Sequence, residues 1–147
     1  PPLDNVNALL SFAYSLLASD CAAALEGAGL DPYVGFLHRA RPGRRSLALD
    51  LMEELRTVLA DRFVLSCINQ KVLNAKHFEK QENGAVLLTE EGRRAFLNAW
   101  QQKKREVITH PFLKEKLCWG LVPYVQALLL ARTLRGDLEV YPPFFWK

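Results

Sequence analysis

Cysteine is scarce in this chain, three in 147 residues, and Cys21, Cys67 and Cys118 lie far apart in it. An odd number without metal-ligand spacing argues against a disulfide framework or a cysteine-held zinc, and is simplest as free thiols of a reducing, intracellular compartment. No apolar run reaches the roughly 20 residues that span a bilayer, and the N-terminus lacks the basic-then-apolar order of a signal peptide. Cytoplasmic residence without a membrane partner is the resulting expectation. Internal repeats and low-complexity stretches are also missing. Net charge is only +3, too little by itself to argue for a nucleic-acid partner. The chain opens on Pro1-Pro2 rather than methionine, which suggests a piece of a longer protein.

What is there is enough for one domain, since half of the residues are apolar and a chain of this length can close a sizeable core. Asp4 or Asn5 caps a first helix on which Leu9, Leu10, Phe12, Ala13, Leu16 and Leu17 recur at helical spacing, until Gly27 and Gly29 end it. Pro32, Gly35, Pro42 and Gly43 punctuate a loop over 30–45. Ser46 then caps a long helix reaching Leu73, with a break near Asp61 and an inward stripe of Leu47, Leu51, Leu55, Val58 and Leu59. Asn83-Gly84 between short apolar-polar segments predicts a small hairpin over 77–88, the only strand candidate. Thr89 with Glu90 and Glu91 opens a helix whose pattern runs to Ile108, before Pro111. A last helix over 124–136 stops at Gly136, and the tail "YPPFFWK" follows. The expected fold class is mainly α, a single helical domain over 1–147 with one short β-hairpin.

Chemistry concentrates in "GFLHRARPGRRSLALDLMEELR", residues 35–56. Asp50 and Glu53 stand three positions apart on a helix, so both carboxylates point into one small volume, sharing a polar wedge with Glu54 and Thr57 beside the apolar stripe. The preceding loop can fold His38 back over the helix start, adding a nitrogen ligand to oxygen ligands. Imidazole with carboxylates suits Mn²⁺ or Zn²⁺, whereas Mg²⁺ leans on carboxylates and water. Arg39, Arg41, Arg44 and Arg45 would hold phosphates beside such an ion, as metal-assisted phosphoryl transfer requires. Further basic clusters occur at Lys103, Lys104 and Arg105 and at Arg132 and Arg135, and local potential governs phosphate affinity more than net charge does. On composition alone a hydrogen-bonded loop histidine, a solvated acidic face and solvated basic faces remain open readings.

The strings "VNALLSFAYSLL", "GLDPYVGFLHRARPGRRSLALDLMEELR" and "VQALLLARTLRGDLEVYPPF" resemble, in the same order and across nearly the whole chain, the C-terminal helical domain of the CRISPR-associated adaptation integrase/endonuclease family. The members that accompany type I-C systems look closest. The middle motif is the most specific: Gly-Phe-Leu-His, a short basic loop, then Ser-Leu-Ala-Leu-Asp-Leu-Met-Glu and an arginine. The resemblance implies a metal-dependent DNA integrase or nuclease of antiviral defence, using Mg²⁺ or Mn²⁺. A 3′-hydroxyl on incoming spacer DNA attacks a repeat phosphodiester, and the reaction can run backward as disintegration. It further implies an N-terminal β domain that is absent here, homodimers of the full-length protein, and a small second adaptation protein as partner, with double-stranded DNA as substrate. His38 and Glu53 are then metal ligands, with Asp50 the second acid of the site; in some members an aspartate stands at the Glu53 position. The family's remaining ligand is a glutamate upstream of "NALL", so the chain by itself is expected to be impaired. Asn7, Ser11 and Tyr14 match a recurrent family pattern on the first helix, read here as packing and hydrogen bonding.

Two rival functions stay open from the residues alone. One is a non-catalytic helical nucleic-acid-binding module with Arg39 to Arg45 on phosphates. The other is a protein-interaction module that docks through Tyr141, Phe144, Phe145 and Trp146 of the tail, for which a strap over the chain's own core is the plainer reading.

Overall fold

The computed structural model describes residues 2–33 and 46–145. The first helix, α1 (Asn5–Gly27), is nucleated as its cap requires: the Asp4 carboxylate accepts the Asn7 backbone N–H at 2.8 Å. Every fourth residue from Leu9 through Ala13, Leu17, Cys21 and Leu25 is buried, so one stripe of α1 forms the centre of the core. By length and composition alone this helix could cross a membrane, contrary to the sequence-based expectation. Its stripe is instead packed on α2 (Ser46–Leu55) and α5 (Val122–Leu134).

The long helix expected to follow Ser46 is interrupted. After α2 the backbone widens into a π-helical turn, Arg56–Asp61, before α3 (Arg62–Asn69) resumes, which puts the break at the turn ending on Asp61. Tyr14 of α1 donates its hydroxyl to Asp61 across the gap, supplying a partner where the helical ladder changes register. The helix stops at Asn69 rather than Leu73, because Lys71 takes a left-handed conformation, φ 54°.

Asn83-Gly84 does turn a hairpin, with β1 (Phe78–Lys80) antiparallel to β2 (Val86–Leu88) and Gly84 at φ 87°. Thr89 caps α4 (Glu90–Lys104) through its hydroxyl to the Gly92 N–H at 3.0 Å. That helix ends four residues before the periodicity does. Val107–Thr109 forms β3, paired with β4 (Lys116–Cys118) in a second hairpin that the sequence reading missed. Three successive β-branched residues favour extended backbone over one more helical turn. A short 3₁₀ turn, Trp119–Leu121, leads into α5.

Phe12, Phe63, Phe96 and Trp100 join α1, α3 and α4 in one aromatic cluster with ring centroids 5.0–5.5 Å apart. The indole N–H of buried Trp100 donates to Asp20 at 3.2 Å, so the ring is buried without an orphan donor. The start of α4 presses on the 3₁₀ turn Ala75–His77 that precedes β1. A Cβ on Gly92 would lie 2.5 Å from the His77 carbonyl oxygen. Gly92→Ala is therefore expected to cost about 1–3 kcal/mol, the usual range for overpacking, and to lower the melting temperature by several degrees. An unchanged melting temperature would show that the α4 start can move away from the turn.

Candidate acidic cleft

The cleft forms where α2 meets α5 and the closing segment. Asp50, Glu53 and Glu54 line it with Leu130, Thr133, Leu134, Tyr141 and Pro143, around a volume of about 520 Å³. Helical spacing explains why α2 presents these acids together, and the adjoining stripe of Leu47, Leu51 and Leu55 is buried and fixes the helix against the core.

The three acids are not equivalent. Asp50 is buried, 6% exposed. Glu53 is exposed and pairs with Arg56 one turn on, Nη1 to Oε1 at 3.3 Å. The same guanidinium lies over the Tyr14 ring, 5.9 Å from its centroid. Glu54 is taken up by the fold: its carboxylate accepts the Tyr141 hydroxyl at 2.8 and 2.9 Å, the Phe144 backbone N–H at 3.0 Å and Gln126 Nε2 at 3.2 Å. Burial pushes the Glu54 carboxyl above its ordinary range, against the pull of those three donors. Tyr14 is also raised, first by its hydrogen bond to Asp61 and then by burial. Thr57, expected on the same wedge, is exposed and is not among the lining residues.

His38, Arg39, Arg41, Arg44 and Arg45 lie outside the described residues, so the expected approach of the imidazole to Glu53 is not observed either way. Among the described residues no three His, Cys, Asp or Glu side chains are gathered closely enough to hold a metal ion. Asp50 and Glu53 do offer oxygen donors to one cleft, the chemistry Mg²⁺ or Mn²⁺ selects, so the donor set fits a divalent ion that takes its other ligands from elsewhere. The remaining basic clusters are partly neutralised. Lys103 pairs with Glu106, Lys104 with Asp20 and Arg135 with Asp137. The tail resolves toward the strap, with Tyr141 and Phe144 packed on the core and Phe145 exposed; Trp146 lies outside the described residues. Arg56 stands one turn from Glu53, as the motif spacing allows, whereas no local pattern points to Gln126 or Tyr141 beside these acids.

The geometry defines a helical domain with an acidic cleft on one helix face. Comparison with known proteins makes this specific. Residues 1–102 match the family model for CRISPR associated protein Cas1, and the chain belongs to the Cas1 family. It is 63% identical to CRISPR-associated endonuclease Cas1 2 of Rhodospirillum rubrum over 147 residues, which is all of this chain and 43% of that relative. Among solved structures it is similar to a casposase bound to its integration product, with TM-score 0.87, 30% identity, and coverage of 99% of this chain and 43% of that one. A partial Cas6-RT-Cas1–Cas2 complex matches with TM-score 0.77 and 28% identity, over 100% of this chain and 43% of that one. The chain thus spans less than half the length of each of these three proteins.

Proposed function

We propose that this chain carries the catalytic centre of a metal-dependent DNA integrase that inserts spacer DNA into a CRISPR array. The observation that carries the reading is the pairing of Asp50 and Glu53 in one cleft, one helical turn apart, on a helix that begins eight positions after His38 in the sequence. The kinship to Cas1 endonucleases and to a casposase captured with its integration product supports the reaction type. Likeness to a complex containing Cas2 supports a small second adaptation protein as partner. Homodimerisation of the full-length protein, cytoplasmic location and kinship to type I-C members belong to the same reading.

His38, Glu53 and Asp50 would hold Mg²⁺ or Mn²⁺. A bound divalent ion supplies charge neutralisation at the non-bridging phosphate oxygens and makes the attacking hydroxyl more acidic. The chain's own contribution is placement. The buried α2 stripe fixes the two carboxylates, Arg56 offsets the charge of Glu53, and Arg39, Arg41, Arg44 and Arg45 bind the DNA backbone without base preference. The family's glutamate ligand lies outside these 147 residues on this reading, so the chain alone turns over little.

The test is a disintegration assay on branched DNA with Mn²⁺, using the Rhodospirillum rubrum relative in which this chain replaces the matching residues. Turnover that disappears with chelator and with His38→Ala is expected. Turnover that survives either change, or an inactive chimaera beside an active parent relative, overturns the reading.

A further inference from the structure

We propose that Glu54 is a positioning residue for the acidic cleft: by seating the closing segment on α2 it fixes the helix face on which Asp50 and Glu53 stand. For its catalytic consequence this rests on the metal-dependent reading above; the geometry stands by itself. Three donors from two different parts of the chain converge on one carboxylate, from Tyr141 and Phe144 of the closing segment and Gln126 of α5. Tyr141 and Pro143 also line the cleft together with the acids. The contact that holds the segment therefore shapes the site too.

The network has a fixed polarity. His110 Nδ1 accepts the backbone N–H groups of Phe112 and Leu113 at 3.1 and 3.0 Å. The neutral ring then carries its proton on Nε2 and donates to Gln126 Oε1 at 2.7 Å. With its oxygen occupied, Gln126 must turn its NH₂ toward Tyr141 Oη at 2.8 Å, the Pro142 carbonyl at 3.2 Å and Glu54. Tyr141, accepting from Gln126, is left to donate to Glu54. His110 and Gln126 are fully buried, and among the described residues no buried side-chain nitrogen or oxygen lacks a partner. A complete buried network is rigid, and losing one member leaves an unsatisfied group. The π-helical turn begins two residues after Glu54, so continuity with α3 alone does not set the rotation of α2. The buried leucine stripe holds one face of α2, and Glu54 anchors the neighbouring face to the closing segment.

Two measurements test this. In the chain alone, hydrogen exchange at the Phe144 amide should accelerate at least about tenfold in Glu54→Ala and less in Glu54→Gln, which keeps an acceptor oxygen. In the chimaera, Glu54→Ala and Tyr141→Phe should lower kcat about tenfold and raise the Mn²⁺ concentration for half-maximal rate, with KM for DNA within about twofold. Val64→Ala, a core change in α3 of comparable or larger stability cost, should leave both kinetic values unchanged. The proposal is overturned if the Phe144 amide stays protected in Glu54→Ala, if kcat and Mn²⁺ dependence match the parent once the segment is released, or if Val64→Ala reproduces the loss. Failure of the integrase reading has a different signature, because His38→Ala would then keep its rate whatever happens at Glu54.

Discussion

Glu53→Ala in the chimaera is expected to lower Mn²⁺-dependent strand transfer by about 10³-fold, a loss of about 4 kcal/mol in transition-state stabilisation. The melting temperature should barely move. Glu53 is exposed, and among the described residues it forms a surface pair with Arg56, in which the two side chains are 39% and 44% exposed. Such pairs contribute about 0–1 kcal/mol. This separates chemistry from folding, which Asp50 cannot do, since it is 6% exposed and its loss would disturb the core as well. Glu53→Asp should recover much of the rate and Glu53→Gln little, because the role asks for a charged oxygen donor rather than for length. A Glu53→Ala rate within about threefold of the parent would remove this carboxylate from the reaction.

Glu53 was legible in the sequence for the reason that makes it testable. Its relation to Asp50 is local, three residues along one helix, and helical periodicity is the strongest pattern a sequence carries. The Asp4 and Thr89 caps and the Asn83-Gly84 turn are local in the same sense, and each formed where its residue type requires. The second hairpin was hidden because the apolar spacing of α4 continues through Val107 and Ile108, and pairing with Lys116–Cys118 decides between helix and strand. Glu54 was grouped with its neighbours as part of a polar wedge, yet its partners lie 72 to 90 positions away. Nothing in residues 50–57 distinguishes a carboxylate that faces the cleft from one consumed by a strap. The same limit applies to Lys104, whose partner Asp20 lies 84 positions away, whereas Lys103 and Glu106 form a local pair three positions apart.

Stability is expected to fall steeply above about pH 9, for a reason carried by buried groups rather than by the cleft. Burial raises the Cys67 thiol to about 11 and Cys21 further still. Tyr141 is raised by burial and then by the charge of Glu54, and Tyr14 by Asp61. All four hold their protons more tightly folded than unfolded. Between the ordinary value of each group, 9.0 for the thiols and 10.0 for the tyrosines, and its folded value, the unfolded chain has lost a proton that the native chain keeps. Fewer protons are then bound in the unfolded state, so unfolding becomes more favourable as pH rises. Each buried thiol contributes on the order of 1 kcal/mol per pH unit across its window. The contribution is fully present below pH 9 and is lost progressively above it, up to about 11 for Cys67. Melting followed by circular dichroism should be flat from pH 7 to 8.5 and drop between about 9 and 10. Cys21→Ala will melt lower at neutral pH because it loses buried volume, so the slope is the quantity to compare. It should be shallower than the parent's, and shallower again in Cys21→Ala/Cys67→Ala. A double variant with the parent's slope would mean that neither thiol drives the alkaline transition.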